Sequence, residues 1–157
     1  MGTIFKNNIK DNIARLSFIK VELGCGKYRK VPDSITVDAV NLSSVDIVAN
    51  INQGLPFKDN SIDEIYSFHF LEHVDDLEFV LKDIHRVLKP KGKKIGTVPH
   101  FANPYFYSDP THNNFFGLYS FSYFDKEQLL FKRKVPTFYM SELFEVSSVE
   151  LGFTSPF

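Results

Sequence analysis

Tryptophan is absent from this 157-residue chain, and cysteine occurs once, as Cys25. A single cysteine excludes an intrachain disulfide framework and any cysteine zinc cluster. It fits a reducing compartment, so a cytoplasmic location is expected. No stretch approaches the ~20 consecutive apolar residues that span a bilayer, and membrane insertion is not expected. The opening MGTIFKNNIKDN lacks the apolar core of a secretory signal. Net charge is also nearly absent: a formal value of -1 gives no electrostatic reason to expect nucleic acid or an anionic membrane as the main partner. What remains is the balance of an ordinary globular protein, long enough for one domain, residues 1–157, with its own core.

Aromatic residues are plentiful. The chain has 17 Phe and 7 Tyr, and many of them crowd into residues 101–139.

The apolar patterning alternates between strands and turns. Phe18–Leu23 reads as a strand running into the glycine turn Gly24-Cys25-Gly26. Ile35–Val40 and Asp46–Ile51 read as the second and third strands, and Ile62–His69 as the fourth. Connections among the first three are short, so any crossover helix there is reduced to a turn or two. Leu77, Val80, Leu81, Ile84, Val87 and Leu88 form one helical stripe. Asp75 and Asp76 precede it and Arg86 and Lys89 close it, as the helix dipole favours, and Pro90 and Gly92 stop it. Lys94–Pro99 is the fifth strand, and FEVSSVELGF, Phe144–Phe153, alternates like a sixth. Residues 1–14 read as a leader or short helix over one sheet face. From about 100 to 138 the periodicity dissolves, as in a lid or binding insert. Strands with helical crossovers predict an α/β fold with a mostly parallel sheet and a ligand at the strand C-terminal ends.

Gly24 and Gly26 follow the first strand, where a missing β-carbon lets backbone approach a ligand. Asp38 ends the next strand, where its carboxylate can accept from both hydroxyls of a ribose; hydrogen bonds to a charged group are worth roughly 1.5–3 kcal/mol each. A dinucleotide fingerprint needs G-x-G-x-x-G. Here the turn runs Gly24-Cys25-Gly26-Lys27-Tyr28-Arg29, so the third glycine is missing. Lys27, Arg29 and Lys30 read as solvated surface charges rather than phosphate contacts.

Together, VELGCG, TVDAV, DIVANI, GLPFKDNSIDEIYS, FLEHV and DIHRVLKPKGKKIGTVP resemble, in that order, the motifs of class I S-adenosylmethionine (SAM)-dependent methyltransferases, particularly the small type-11-like group. The resemblance covers roughly residues 17–125. It implies a compact Rossmann-like three-layer sandwich that lacks the last of the usual seven strands. It also implies SAM as the cofactor. Glu22, Gly24, Cys25 and Gly26 would surround its methionine part and Asp38 its ribose. Asn50, where many relatives have Asp, would lie beside the adenine with Ile51 on the ring, and Ser67, near the end of the fourth strand, would also border the cofactor. Relatives of this form suggest glycan or cell-envelope biosynthesis.

Methyl transfer from a sulfonium is a direct displacement in which alignment recovers ~7–11 kcal/mol of the barrier. A base is needed only where the acceptor loses a proton. His69 and His100, directly after strands four and five, and His112 in the insert are candidates, with a near-neutral imidazole pKa in their favour. His73 reads as a brace at the helix start and His85 as a surface residue. Asp109-Pro110-Thr111-His112 reads as a helix N-cap and first turn. A metal site from His100, Asp109 and His112 matches no familiar zinc spacing, and none is expected. The insert aromatics either wall an acceptor pocket or form a second small core.

The expected function is therefore methyl transfer to oxygen or nitrogen of a small or medium organic acceptor. The alternatives are a non-catalytic SAM-binding or interaction module and, less favoured, a nucleotide-dependent oxidoreductase. An uncovered sheet edge would suit a homodimer.

Overall fold

The computed structural model describes residues 2–138 and 144–153. Six strands form one sheet: β1 (Ile4–Phe5), β2 (Lys20–Leu23), β3 (Ile35–Asp38), β4 (Ile47–Val48), β5 (Ile62–Phe68) and β6 (Leu88–Thr97). Their order across the sheet is β1-β4-β3-β2-β5-β6. Every pairing is parallel except β1 with β4. The α-helices among the described residues are α1 (Ile9–Arg15) and α2 (Leu77–Val87). None of the described helices is long and apolar enough to cross a membrane.

The central strands β2 and β3 alternate: apolar residues lie on one face, and the buried polar residues Glu22 and Thr36 lie on the other. Val21, Leu23, Ile35, Val37, Ile47, Ile62 and Ile65 are all buried in one cluster. Helix α2 adds Val80, Leu81, Ile84 and Val87 from a single stripe; burying each such side chain contributes roughly 1.5–3 kcal/mol. Its start is fixed by Asp76, whose carboxylate accepts from the Phe79 amide at 2.9 Å, a cap worth about 1 kcal/mol. Ile9 and Ile13 of α1 pack against the same cluster, as expected for a short N-terminal helix, although the antiparallel edge strand β1 has too few residues to show as a pattern.

Only the β5–β6 crossover carries a full helix; β2–β3 and β3–β4 are joined by turns. Side chains do the work of the missing helices. Asp46, just before β4, accepts from the Thr36 amide at 3.0 Å and pairs with Arg29 at 2.6 Å, which ties both connections to β3. Arg29 is thus held as an ion-pair partner.

Two expectations are corrected. Phe144–Phe153 adds no strand among the described residues: Phe144 makes one isolated bridge to Asp125, and 145–153 pair with nothing in a ladder. Alternation alone cannot form a strand without a free edge in register, and Phe153 stands almost fully exposed. Pro110 starts no helix either; Asp109 instead accepts from the Thr111 amide at 2.9 Å and its hydroxyl at 2.6 Å, closing a local turn. These hydrogen bonds from Thr111 hold the Asp109 carboxyl below its ordinary pKa.

Candidate functional site

The C-terminal ends of β2, β3 and β5 share one sheet edge, with Leu23 paired to both Val37 and Ser67. The glycine turn leaves that edge. Gly24 and Gly26 have φ of 66° and 57°, left-handed values that favour glycine. A β-carbon on Gly24 would overlap the ring of Phe70, whereas around Gly26 the corresponding space is open. At Gly24 the close neighbour is a side chain of this protein, not the ligand expected from the sequence, and Gly26 has an open face.

Asp38 closes the turn. Its Oδ2 accepts from the Gly26 amide at 2.9 Å and its Oδ1 from the Val40 amide at 2.9 Å. A carboxylate has about four acceptor positions, so two remain on a half-exposed group at the mouth of the turn. Glu22, 1% exposed, turns its carboxylate to the following loop, accepting from the Lys30 and Val31 amides at 3.0 Å each. It holds 27–34 in place from beneath. Cys25 is buried against Val45 and Val48, and burial, with Asp38 nearby, pushes its thiol up.

Asn50 caps a 3₁₀ turn, Ile51–Gln53, by accepting from the Asn52 amide at 3.1 Å. Ile51 is 5% exposed and belongs to the core cluster. Ser67 is buried at the end of β5, and its hydroxyl has no partner among the described residues. Two concavities lie away from this edge, one at the opposite strand ends beside Asp63 and Lys89 and one beside Asp125 and Leu130.

The histidines divide. His69 follows β5 with a left-handed φ of 54°, its exposed ring 3.4 Å from a carboxylate oxygen of Glu72. His100 follows β6, accepts from the Ala102 amide at 3.2 Å and lies against Phe101. His112 is drawn to His73, with ring centroids 4.8 Å apart. The tether is a run of asparagines. The Asn113 and Asn114 amides donate to the Glu72 carbonyl at 2.7 and 3.2 Å, and the Asn114 side chain donates to the Leu71 and Val74 carbonyls. His73 thus does more than brace a helix, and Glu72 carries no sequence signal beyond its place in FLEHV. His85 is half-buried, its ring edge-on to Phe144 at 5.4 Å.

The insert aromatics serve two ends. Phe106 and Phe116 are buried, the latter stacked on Phe121 at 5.4 Å. Phe101, Tyr105, Tyr107 and Phe115 are exposed.

A family model described as a methyltransferase domain matches residues 21–95, from β2 through most of β6. Over that segment the chain is similar to class I SAM-dependent methyltransferases. Members of this family generally use SAM as methyl donor. The chain is similar to the sterol 4-C-methyltransferase strm-1 of Caenorhabditis elegans, 45% identical over 49 residues, which are 31% of this chain and 15% of the relative. It is also similar to the demethylmenaquinone methyltransferase of Bacillus cereus, 34% identical over 83 residues, 53% of this chain and 32% of the relative. The chain thus spans less than a third of the length of these methyltransferases. Among solved structures it is similar to a methyltransferase in complex with the Haloferax volcanii Trm112 methyltransferase activator. That likeness has a TM-score of 0.43 and 21% identity, over 59% of this chain and 51% of the other.

Proposed function

We propose that this chain binds SAM at the glycine turn and transfers its methyl group to a small or medium organic acceptor. The observation that carries the proposal is the pairing of Gly26 with Asp38: a left-handed turn with an open face, whose closing carboxylate keeps acceptor positions for the two ribose hydroxyls. Gly24, Cys25 and Gly26 would border the methionine part, with Glu22 supporting them from below. Asn50, Ile51 and Ser67 would border the adenine end of the same edge. The Asn50 side chain can offer one further acceptor to an amino group.

The aromatic insert, about residues 100–138, supports an acceptor with an apolar ring or chain, since Tyr105, Tyr107 and Phe115 stand exposed beside the buried Phe106. Relatives named for sterols and demethylmenaquinone agree with that choice. Of the three histidine candidates, His69 is the one we assign as base for acceptors that lose a proton: it is exposed, follows β5 directly, and has a Glu72 carboxylate oxygen 3.4 Å from its Nδ1 to orient the ring. His100 and His112 are held by the insert and would act, if on the acceptor, by positioning it.

The test is turnover. Purified protein is incubated with SAM and a panel of hydroxylated, aminated and isoprenoid acceptors, and formation of S-adenosylhomocysteine is followed. Acceptor-dependent product that falls at least tenfold in His69→Ala is expected. Cofactor binding with no demethylation across the panel would instead make the chain a SAM-binding module.

A further inference from the structure

We propose that Glu72, His73 and His112 form a binding site for a divalent first-row transition-metal ion of the Zn²⁺ class. One ligand atom from each of the three lies within 4.8 Å of the others. Tetrahedral ligands at roughly 2.1 Å from an ion stand about 3.4 Å apart, so side-chain rotations of about an ångström close the set.

The hydrogen bonds around the two rings fix which nitrogens are free. His112 Nδ1 lies 2.8 Å from the Phe106 carbonyl oxygen. A carbonyl only accepts, so Nδ1 carries the proton and Nε2 the lone pair. His73 Nδ1 lies 2.9 Å from Thr111 Oγ1 and 3.3 Å from the Thr111 carbonyl. The Thr111 hydroxyl gives its own proton to Asp109 at 2.6 Å. Here too Nδ1 must donate, and Nε2 is left as the ligand atom. Histidines that bind metals are oriented in this way, by an acceptor on the far nitrogen.

Glu72 supplies the second, independent sign. Its side chain is 1% exposed, yet Oε2 has no hydrogen-bond partner among the described residues. An unpaired buried carboxylate oxygen is costly, and a cation is the partner that most directly offsets it. Asp109 Oδ2, 3.8 Å from His112 Nε2, is the nearest further carboxylate. Two imidazoles and a carboxylate suit zinc, or iron and manganese at lower affinity, better than the all-oxygen shell that magnesium and calcium prefer. Three protein ligands leave a position for water or substrate. The site is independent of the cofactor assignment.

The test uses the untagged full chain, stripped with chelator and titrated calorimetrically with Zn²⁺, with a Co²⁺ spectrum in parallel. About one equivalent is expected to bind, with Co²⁺ bands of a nitrogen–oxygen site. Glu72→Gln and His112→Asn should each lose it, with folding checked by circular dichroism. Thr111→Val, which frees the His73 ring, should weaken it about tenfold. His85→Asn should bind as the parent does. Failure of the folded parent chain to bind Zn²⁺ overturns the proposal. So does binding that persists unchanged in both His73→Asn and His112→Asn, which rest on different segments and need not fail to fold together. A titration of the same samples with S-adenosylhomocysteine reads the cofactor site separately.

Discussion

At the scale of single residues, the site depends on side chains whose hydrogen bonds go to the backbone before they go to any ligand. Glu22 and Asp38 both hold loops, one from inside and one at the rim. Gly24 is the most constrained position, because its φ of 66° and the Phe70 ring each disfavour a β-carbon. Gly24→Ala is therefore expected to destabilise the fold by about 1–3 kcal/mol, measured by urea denaturation. Adding Phe70→Ala should recover part of that loss by removing the overlap while the backbone cost stays. A Gly24→Ala variant as stable as the parent would mean that the turn is not held as described. That Gly24 matters could be read from VELGCG; that its neighbour is Phe70 could not, because the contact joins segments far apart in the chain.

At the scale of elements, ion pairs fasten strand ends that short connections leave loose. Asp63, near the start of β5, accepts from the Ile19 amide at 2.8 Å and from Lys89 at 2.7 Å. Burial pushes its carboxyl up, but the Lys89 ammonium and the Ile19 amide outweigh burial and leave it below its ordinary 3.8. The sign follows: a carboxyl with a lowered folded-state pKa binds its proton less readily folded than unfolded. Its stabilisation is present above the unfolded value and is lost as pH falls below about 4. Asp63→Asn should cost about 1–3 kcal/mol at pH 7, and its deficit relative to the parent should shrink as pH drops from about 4 toward 2. A constant deficit across that range, by denaturant titration at each pH, would contradict the assignment.

Helix α2 and the five parallel strands, β2 to β6, were legible because their periodicity is strong and their partners follow in order. The pairing of 144–153 and the turn at Asp109 were not. Both hinge on what a segment meets after folding: a strand needs an open edge, and a cap needs a helix behind it. The joining of His73 to His112 was invisible for the same reason, since it is made by Asn113 and Asn114 binding the backbone of Leu71–Val74.

At the scale of the whole molecule, the parallel sheet brings the glycine turn, the end of β3 and the end of β5 to one edge, and the insert is stitched to the turn that follows β5. Cofactor and acceptor would then meet where the strands end, as open α/β sheets place their ligands. The central claim is that this edge holds SAM. The most direct measurement is a calorimetric titration of the chain with S-adenosylhomocysteine, repeated on Asp38→Asn. We expect micromolar-range binding by the parent chain, weakened about tenfold or more in the variant, as loss of a charge-assisted hydrogen bond to ribose would give. No binding by the folded parent, or equal binding by the variant, would contradict the account.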